Sequence, residues 1–346
     1  MANTNKGDIA IRETLKAELR KAFAPRDVVF SELKWGQLKE ANAHELNRSC
    51  DLFVIGGSGY IRPTKTNSLP PDMLEDAKAL AELTCMKIAF GIGWNALLDG
   101  ASGSAGAFDP AARAQLGRLL QSIDLVSVRD RATRDLVQDV SGKTAALVGD
   151  PALFYADLFP SATPPVRGRL RVGLNLALHG SASADRIERR LDEYCDFLRA
   201  LSREHELTFH YVQHAQTECV IPKLLASRGI FVQRHDPPPE ELIAFYRTLD
   251  IHICQMMHSS VLSLGALVPT MNFGYDIKNQ GLFDLMDLKE FYFSAWSFDR
   301  AKALGAAKRM IAERPDLASR IATRKTELRA DLSRFLNEIS TRVAAH

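Results

Sequence analysis

Short apolar runs alternate with longer amphipathic segments along most of this 346-residue chain. In the first half the runs fall at residues 51–55, 87–90, 125–130 and 145–148. In the second half they fall at 172–176, 208–212, 230–232, 251–254 and 270–273. Each has the length of one buried strand. The segments between them are long enough for helices, notably 9–23, 70–83, 110–122, 184–204, 218–227 and 239–248. Such alternation predicts an α/β fold with parallel sheets covered by helices on both faces. In 9–23, Ile11, Leu15, Leu19 and Phe23 form an apolar stripe, with Asp8 expected as the N-cap after a turn at Gly7.

One hydrophobic core does not organise a chain of this length. Residues 157–169, DLFPSATPPVRGR, hold three prolines and a glycine between two strand runs and read as a linker. The expected division is an N-terminal Rossmann-like domain at 1–160, a C-terminal one at 161–297 and a helical segment at 298–346. A cleft is expected between the two domains, and 94–108, rich in Gly, Ala and Ser, reads as a loop over it. In the helical segment Leu328, Leu332, Phe335, Ile339 and Val343 form one stripe, most simply a packing face. That segment carries 11 Lys and Arg against 6 Asp and Glu. A basic helix of this kind suits peripheral contact with an anionic membrane surface, although a solvated face is the simpler reading.

Bulk properties exclude several classes. A net charge of +2 argues against nucleic acid as a partner. The first residues lack the apolar core of a signal peptide, and no apolar run is long enough to span a bilayer. Five scattered cysteines without a CxxC pair point to a reducing cytoplasm, with no disulfide framework and no zinc or other metal site. No cofactor is called for.

The stretch 251–278, IHICQMMHSSVLSLGALVPTMNFGYDIK, places His258 just after one strand run and Tyr275, Asp276 and Lys278 in the loop after the next. Ligands of open α/β sheets bind beyond the carboxyl ends of strands. His258, Tyr275 and Lys278 are therefore expected on one rim. The same logic marks the Gly56-Gly57-Ser58-Gly59 turn, which follows the run at 51–55, and Arg129, at the end of the run at 125–130. Arg129 could grip a carboxylate or phosphate in a bidentate fork; equally, it could pair with Asp130 or Asp150 and join two strand ends. His214 is a further polar candidate near a strand end.

These elements, in this order, resemble the polysaccharide pyruvyl transferase family. The likeness rests on Met256-Met257-His258-Ser259, Leu267-Val268-Pro269 and Tyr275-Asp276-Ile277-Lys278, with Asn5-Lys6-Gly7-Asp8, the 56–59 turn, Ser127-Val128-Arg129-Asp130 and Asp150-Pro151-Ala152 upstream. In that family a first strand usually precedes the Asn-x-Gly-Asp turn, and here Met1 to Thr4 precede it. The resemblance implies a glycosyltransferase-B-like fold of two Rossmann-like domains. It also implies transfer of a pyruvyl unit from phosphoenolpyruvate, or another small anionic donor, onto a sugar or lipid-linked saccharide, at the inner face of the membrane. It would make His258 the proton donor, with Gly56, Gly57, Ser58, Arg129, Met257, Ser259, Tyr275 and Lys278 around the donor. Asn5, Gly7, Asp8 and His214 would face the acceptor.

The chemistry fits these residue types. Protonating the enol carbon makes its neighbour cationic and open to a hydroxyl, a task for a group titrating near neutrality such as histidine. The donor's anionic groups need cations or backbone amides around them. One departure stands out: Met256 occupies the position, two before the histidine, where the family usually has arginine. Methionine supplies neither charge nor donor. Two other readings follow, a glycosyltransferase-B-like enzyme using a nucleotide sugar or other donor, and a binding homologue without catalysis. Leu262, where many nucleotide-sugar enzymes carry a ribose-binding glutamate, speaks against the nucleotide sugar.

Overall fold

The computed structural model describes residues 5–33, 37–96, 108–160, 168–176, 190–297 and 299–345. Two compact units account for them. The first gathers 11–96, 108–151 and 327–345; the second gathers 5–10 and 152–326.

The first unit is built on four parallel strands in sequential order, β1 (Leu52–Ile55), β2 (Met86–Ile92), β3 (Leu125–Val128) and β4 (Ala146–Leu147). Helices Pro71–Glu82, Pro110–Gln121 and Arg131–Ser141 alternate with them. β2 is apolar and buried at all but one position, so it needs cover on both faces. Helix starts follow local chemistry: Asp109 and Asp130 accept the backbone N–H of Ala112 and Thr133, each at 2.7 Å. Helix Arg314–Ala345 lays Leu328, Leu332, Phe335 and Ile339 into this core. Phe335 meets Phe90 of β2 edge to face, with centroids 5.7 Å apart. The stripe at the end of the chain is thus a packing face.

The second unit carries six parallel strands: β5 (Leu170–Asn175), β6 (Leu207–Val212), β7 (Val232–His235), β8 (Ile251–Cys254), β9 (Thr270–Gly274) and β10 (Tyr292–Ser294). Their order is β10-β9-β8-β5-β6-β7. Counted within the unit this is 3-2-1-4-5-6 read from the other edge, the Rossmann order, whose direction reverses between β5 and β8. The two strands at that reversal pair in register from Val172 and Ile251 to Asn175 and Cys254. Every residue of β8 and β9 is buried, the polar His252, Thr270 and Asn272 included.

Several local expectations need correction. The first helix starts at Lys6, so Asp8 lies inside its opening turn and is not its cap. Asn5 takes that role, its Oδ1 accepting the Gly7 N–H at 3.0 Å. Asp276 caps helix Ile277–Leu285 by accepting the Lys278 N–H, so Lys278 belongs to a helix and not to a loop. The strand expected at 230–232 runs instead over Val232–His235, because Gly229 (φ 76°) turns the chain and Phe231 faces outward. Residues 97–107 of the expected loop, 161–167 of the expected linker and 184–189 of the expected long helix lie outside the described residues. Among the described residues no helix is long and apolar enough to cross a membrane.

Candidate functional site

At the reversal point β8 ends in Cys254, and the chain passes through Gln255 and Met256 into helix Met257–Gly265. This turn is fastened from three sides. Gln255 N–H donates to Asn175 O at 2.9 Å, extending the β5–β8 ladder to its rim. The side-chain amides of Asn272 and Asn279 donate to Gln255 O at 3.2 and 2.9 Å, and Asn272 also reaches Ser260 Oγ at 2.9 Å. The start of the helix is thereby fixed. β8 and β9 are parallel neighbours, so His258, Tyr275 and Lys278 all follow the same sheet edge. Lys278 is partly exposed, its Nζ 3.8 Å from Asp276 Oδ2. Burial, reinforced by the carboxylates of Asp276 and Glu218, raises the Tyr275 hydroxyl above its ordinary range.

His258 is the convergence point. Its Nδ1 lies 3.1 Å from Asn5 Oδ1 and its Nε2 lies 3.8 Å from Asp8 Oδ1, while 18% of its side chain meets solvent. Gly7 lies directly against the ring: a Cβ there would stand 2.1 Å from Cγ and 2.4 Å from Cβ of His258. The opening turn that carries Asn5 and Gly7 is itself anchored by Lys6. This buried lysine donates to Gln213 O at 2.8 Å and pairs with Asp236 at 2.7 Å. Asn5, Gly7 and Asp8 thus surround the histidine, although 253 residues separate Asn5 from His258. The resemblance assigns both motifs to one reaction, His258 to the proton and Asn5, Gly7 and Asp8 to the acceptor, without pairing them directly.

Behind His258 lies a buried polar chain. His252 Nε2, Ser259 Oγ, Tyr246 Oη and His214 Nε2 are linked in that order at 2.7, 2.9 and 2.7 Å. All four residues are fully buried. Met257 and Ser259 therefore face the core, and His214 is an interior residue with its ring against Tyr246. Burial lowers both histidines; His252 is held down to about 3, and nearby Lys6 and His258 add to the effect on His214. Next to them Glu218 accepts the backbone N–H groups of His214 and Ala215, the Tyr211 hydroxyl and the Asn175 amide. Burial nonetheless pushes its carboxyl up to about 7. Tyr246 left no sequence signal. Asn175 and Asn272 did: Asn175 closes β5 at the end where sites open, and Asn272 stands between Met271 and Phe273 in β9.

In the first unit, Gly57 is packed so closely that a Cβ would come within 2.8 Å of Pro151, and Gly56 and Ser58 are half-buried beside it. Arg129 is 2% exposed. It donates to Asn95 Oδ1 at 2.9 Å and lies 3.5 and 3.7 Å from Asp130 and Asp150. Its fork is directed at interior carboxylates. Among the described residues no cluster of His, Cys, Asp or Glu could hold a metal.

The family model for polysaccharide pyruvyl transferase matches residues 5–277. Among curated proteins none matches the chain. Solved structures share its fold at low identity. The S. aureus MnaA–UDP co-structure is 11% identical with a TM-score of 0.55, covering 97% of this chain and 94% of its own. The α,α-trehalose 6-phosphate synthase of Burkholderia multivorans is 15% identical with a TM-score of 0.53, covering 98% and 81%. The UDP-forming α,α-trehalose-phosphate synthase of Burkholderia vietnamiensis is 14% identical with a TM-score of 0.51, covering 96% and 84%. The likeness is one of fold, that of the glycosyltransferase-B kind.

Proposed function

The chain belongs to the polysaccharide pyruvyl transferase family and is a transferase, and on that premise we propose that it moves a pyruvyl unit from phosphoenolpyruvate onto a sugar as a cyclic ketal. His258 delivers a proton to the enol carbon. The adjacent carbon becomes cationic, one sugar hydroxyl adds to it, phosphate departs, and a second hydroxyl closes the ring. Donor and diol are consumed, and ketal and phosphate are formed. The single observation that supports this reading most is the setting of His258. It is a part-exposed imidazole at the strand-order reversal of a Rossmann sheet, held by a side chain from the other end of the sequence. Lys278, on the same edge, supplies a cation for the donor's anionic groups.

Met256 favours a second reading, transfer from a donor other than phosphoenolpyruvate. It stands at the N-cap of the His258 helix without a side-chain cap bond, where a guanidinium would add a fork. Calorimetric titration with phosphoenolpyruvate separates the two readings, using wild type, Met256→Arg and His258→Asn. Phosphate release with sugar acceptors is followed in parallel. The first reading expects binding by all three proteins and turnover lost only in His258→Asn. Binding by the arginine variant alone supports the second. No binding by any of the three sinks phosphoenolpyruvate as donor.

A further inference from the structure

Asn5 Oδ1 receives two groups, the Gly7 backbone N–H at 3.0 Å and His258 Nδ1 at 3.1 Å. A backbone N–H can only donate, so the amide atom facing it is the carbonyl oxygen, which fixes the orientation of the Asn5 side chain. That oxygen can only accept. The hydrogen between it and the imidazole therefore sits on Nδ1, which leaves Nε2 to gain and lose the titrating proton. Nε2 is the nitrogen 3.8 Å from Asp8 Oδ1, within ion-pair range of a protonated ring. Gly7 makes this geometry accessible, because any Cβ at that position would occupy the space of the ring.

We propose that Asn5 is a positioning residue that locks His258 as the Nδ1–H tautomer and so makes Nε2 the proton-delivering atom. This gives Asn5 a role other than contact with an acceptor sugar. The tautomer assignment stands on hydrogen-bond logic alone, whereas the delivery role of Nε2 rests on the pyruvyl-transfer reading. Two substitutions separate this role from plain helix capping. Asn5→Ser keeps a side-chain oxygen able to cap the first turn and is too short to reach Nδ1. Asn5→Asp keeps an acceptor for both groups.

The experiment is imidazole 15N NMR on the full chain at alkaline pH, where the ring is neutral, with His258→Asn identifying the resonance. Wild type and Asn5→Asp are expected to show a pyrrole-type Nδ1 and a pyridine-type Nε2. In Asn5→Ser the pattern should shift towards Nε2–H. Turnover of Asn5→Ser should fall on the order of tenfold or more with KM little changed, and Asn5→Asp should retain it. A wild-type ring protonated on Nε2, or an Asn5→Ser ring unchanged from wild type, overturns the proposal. Correct tautomers without any pyruvyl transfer would refute the proposed reaction and leave the positioning assignment in place.

Discussion

Replacing Gly7 with alanine should destabilise the second unit, against the usual direction of such a change in a helix. Alanine in place of a mid-helix glycine ordinarily gains about 0.5–1 kcal/mol. Here the new methyl would meet His258 Cγ at 2.1 Å, Nδ1 at 2.2 Å and Cβ at 2.4 Å. The last contact decides the outcome, because no rotation of the ring moves its own Cβ. Relief requires the opening turn to shift from the start of helix Met257–Gly265, an overpacking cost of about 1–3 kcal/mol. The bond from Nδ1 to Asn5 goes with it, a further ~0.5–1.5 kcal/mol. Offset by the propensity gain, the net loss is about 0.5–4 kcal/mol, a fall of up to several degrees in Tm. Gly305 provides the control: it lies in helix Arg300–Ala312 with nothing within 4 Å of an added Cβ. Gly305→Ala should therefore stabilise by about 0.5–1 kcal/mol. Thermal unfolding of both variants, with turnover measured alongside, tests the argument. If Gly7→Ala proves as stable as Gly305→Ala, the close approach to His258 is wrong.

Arg129→Ala should cost about 3–5 kcal/mol of stability by stranding the buried carboxylates of Asp130 and Asp150; an unchanged urea midpoint would contradict this. His252 should make stability fall with acidification. Its folded value of about 3 lies below the ordinary 6.5, so the unfolded chain takes up the proton first as pH drops. By pH 5 the loss is about 2 kcal/mol, and it is absent above pH 6.5; His252→Gln should flatten that slope in pH-dependent urea unfolding. Cys50, held down to about 7 chiefly by a hydrogen bond from Cys85, should alkylate first at neutral pH, and Cys85→Ala should slow it. Peptide mass spectrometry showing Cys219 labelled ahead of Cys50 would refute that.

Period and composition reached the strands and missed what depends on long-range contact. The runs that became β2, β5, β6, β8 and β9 are legible because a strand covered on both faces is drawn mainly from apolar residues. Helix Arg131–Ser141 was not apparent: its buried side rests on Leu136 and Val137 among polar neighbours, and its clearest start signal is the Asp130 cap. β10 carries only half-buried residues and sits at the sheet edge, where no strong pattern is imposed. Within the candidate site, His258, Tyr275 and Lys278 were readable because they follow consecutive strands that lie side by side. The partners of His258 were not readable as partners, since nothing local links an asparagine at position 5 to a histidine at 258.

That separation also governs when the candidate site can assemble as the chain folds. Strands β5, β6 and β7 are neighbours in sequence and can pair as soon as residues 170–235 exist. β8 must then return past them to lie beside β5, and Ile251 pairs with Val172 only after that crossover. Asn5 closes a loop longer still, for which chain entropy alone asks about 5 kcal/mol. Contacts of such range form late in folding. A nascent or partly folded chain can thus hold half of the second sheet while Asn5 and His258 are still apart, so the candidate site is complete only when the fold is.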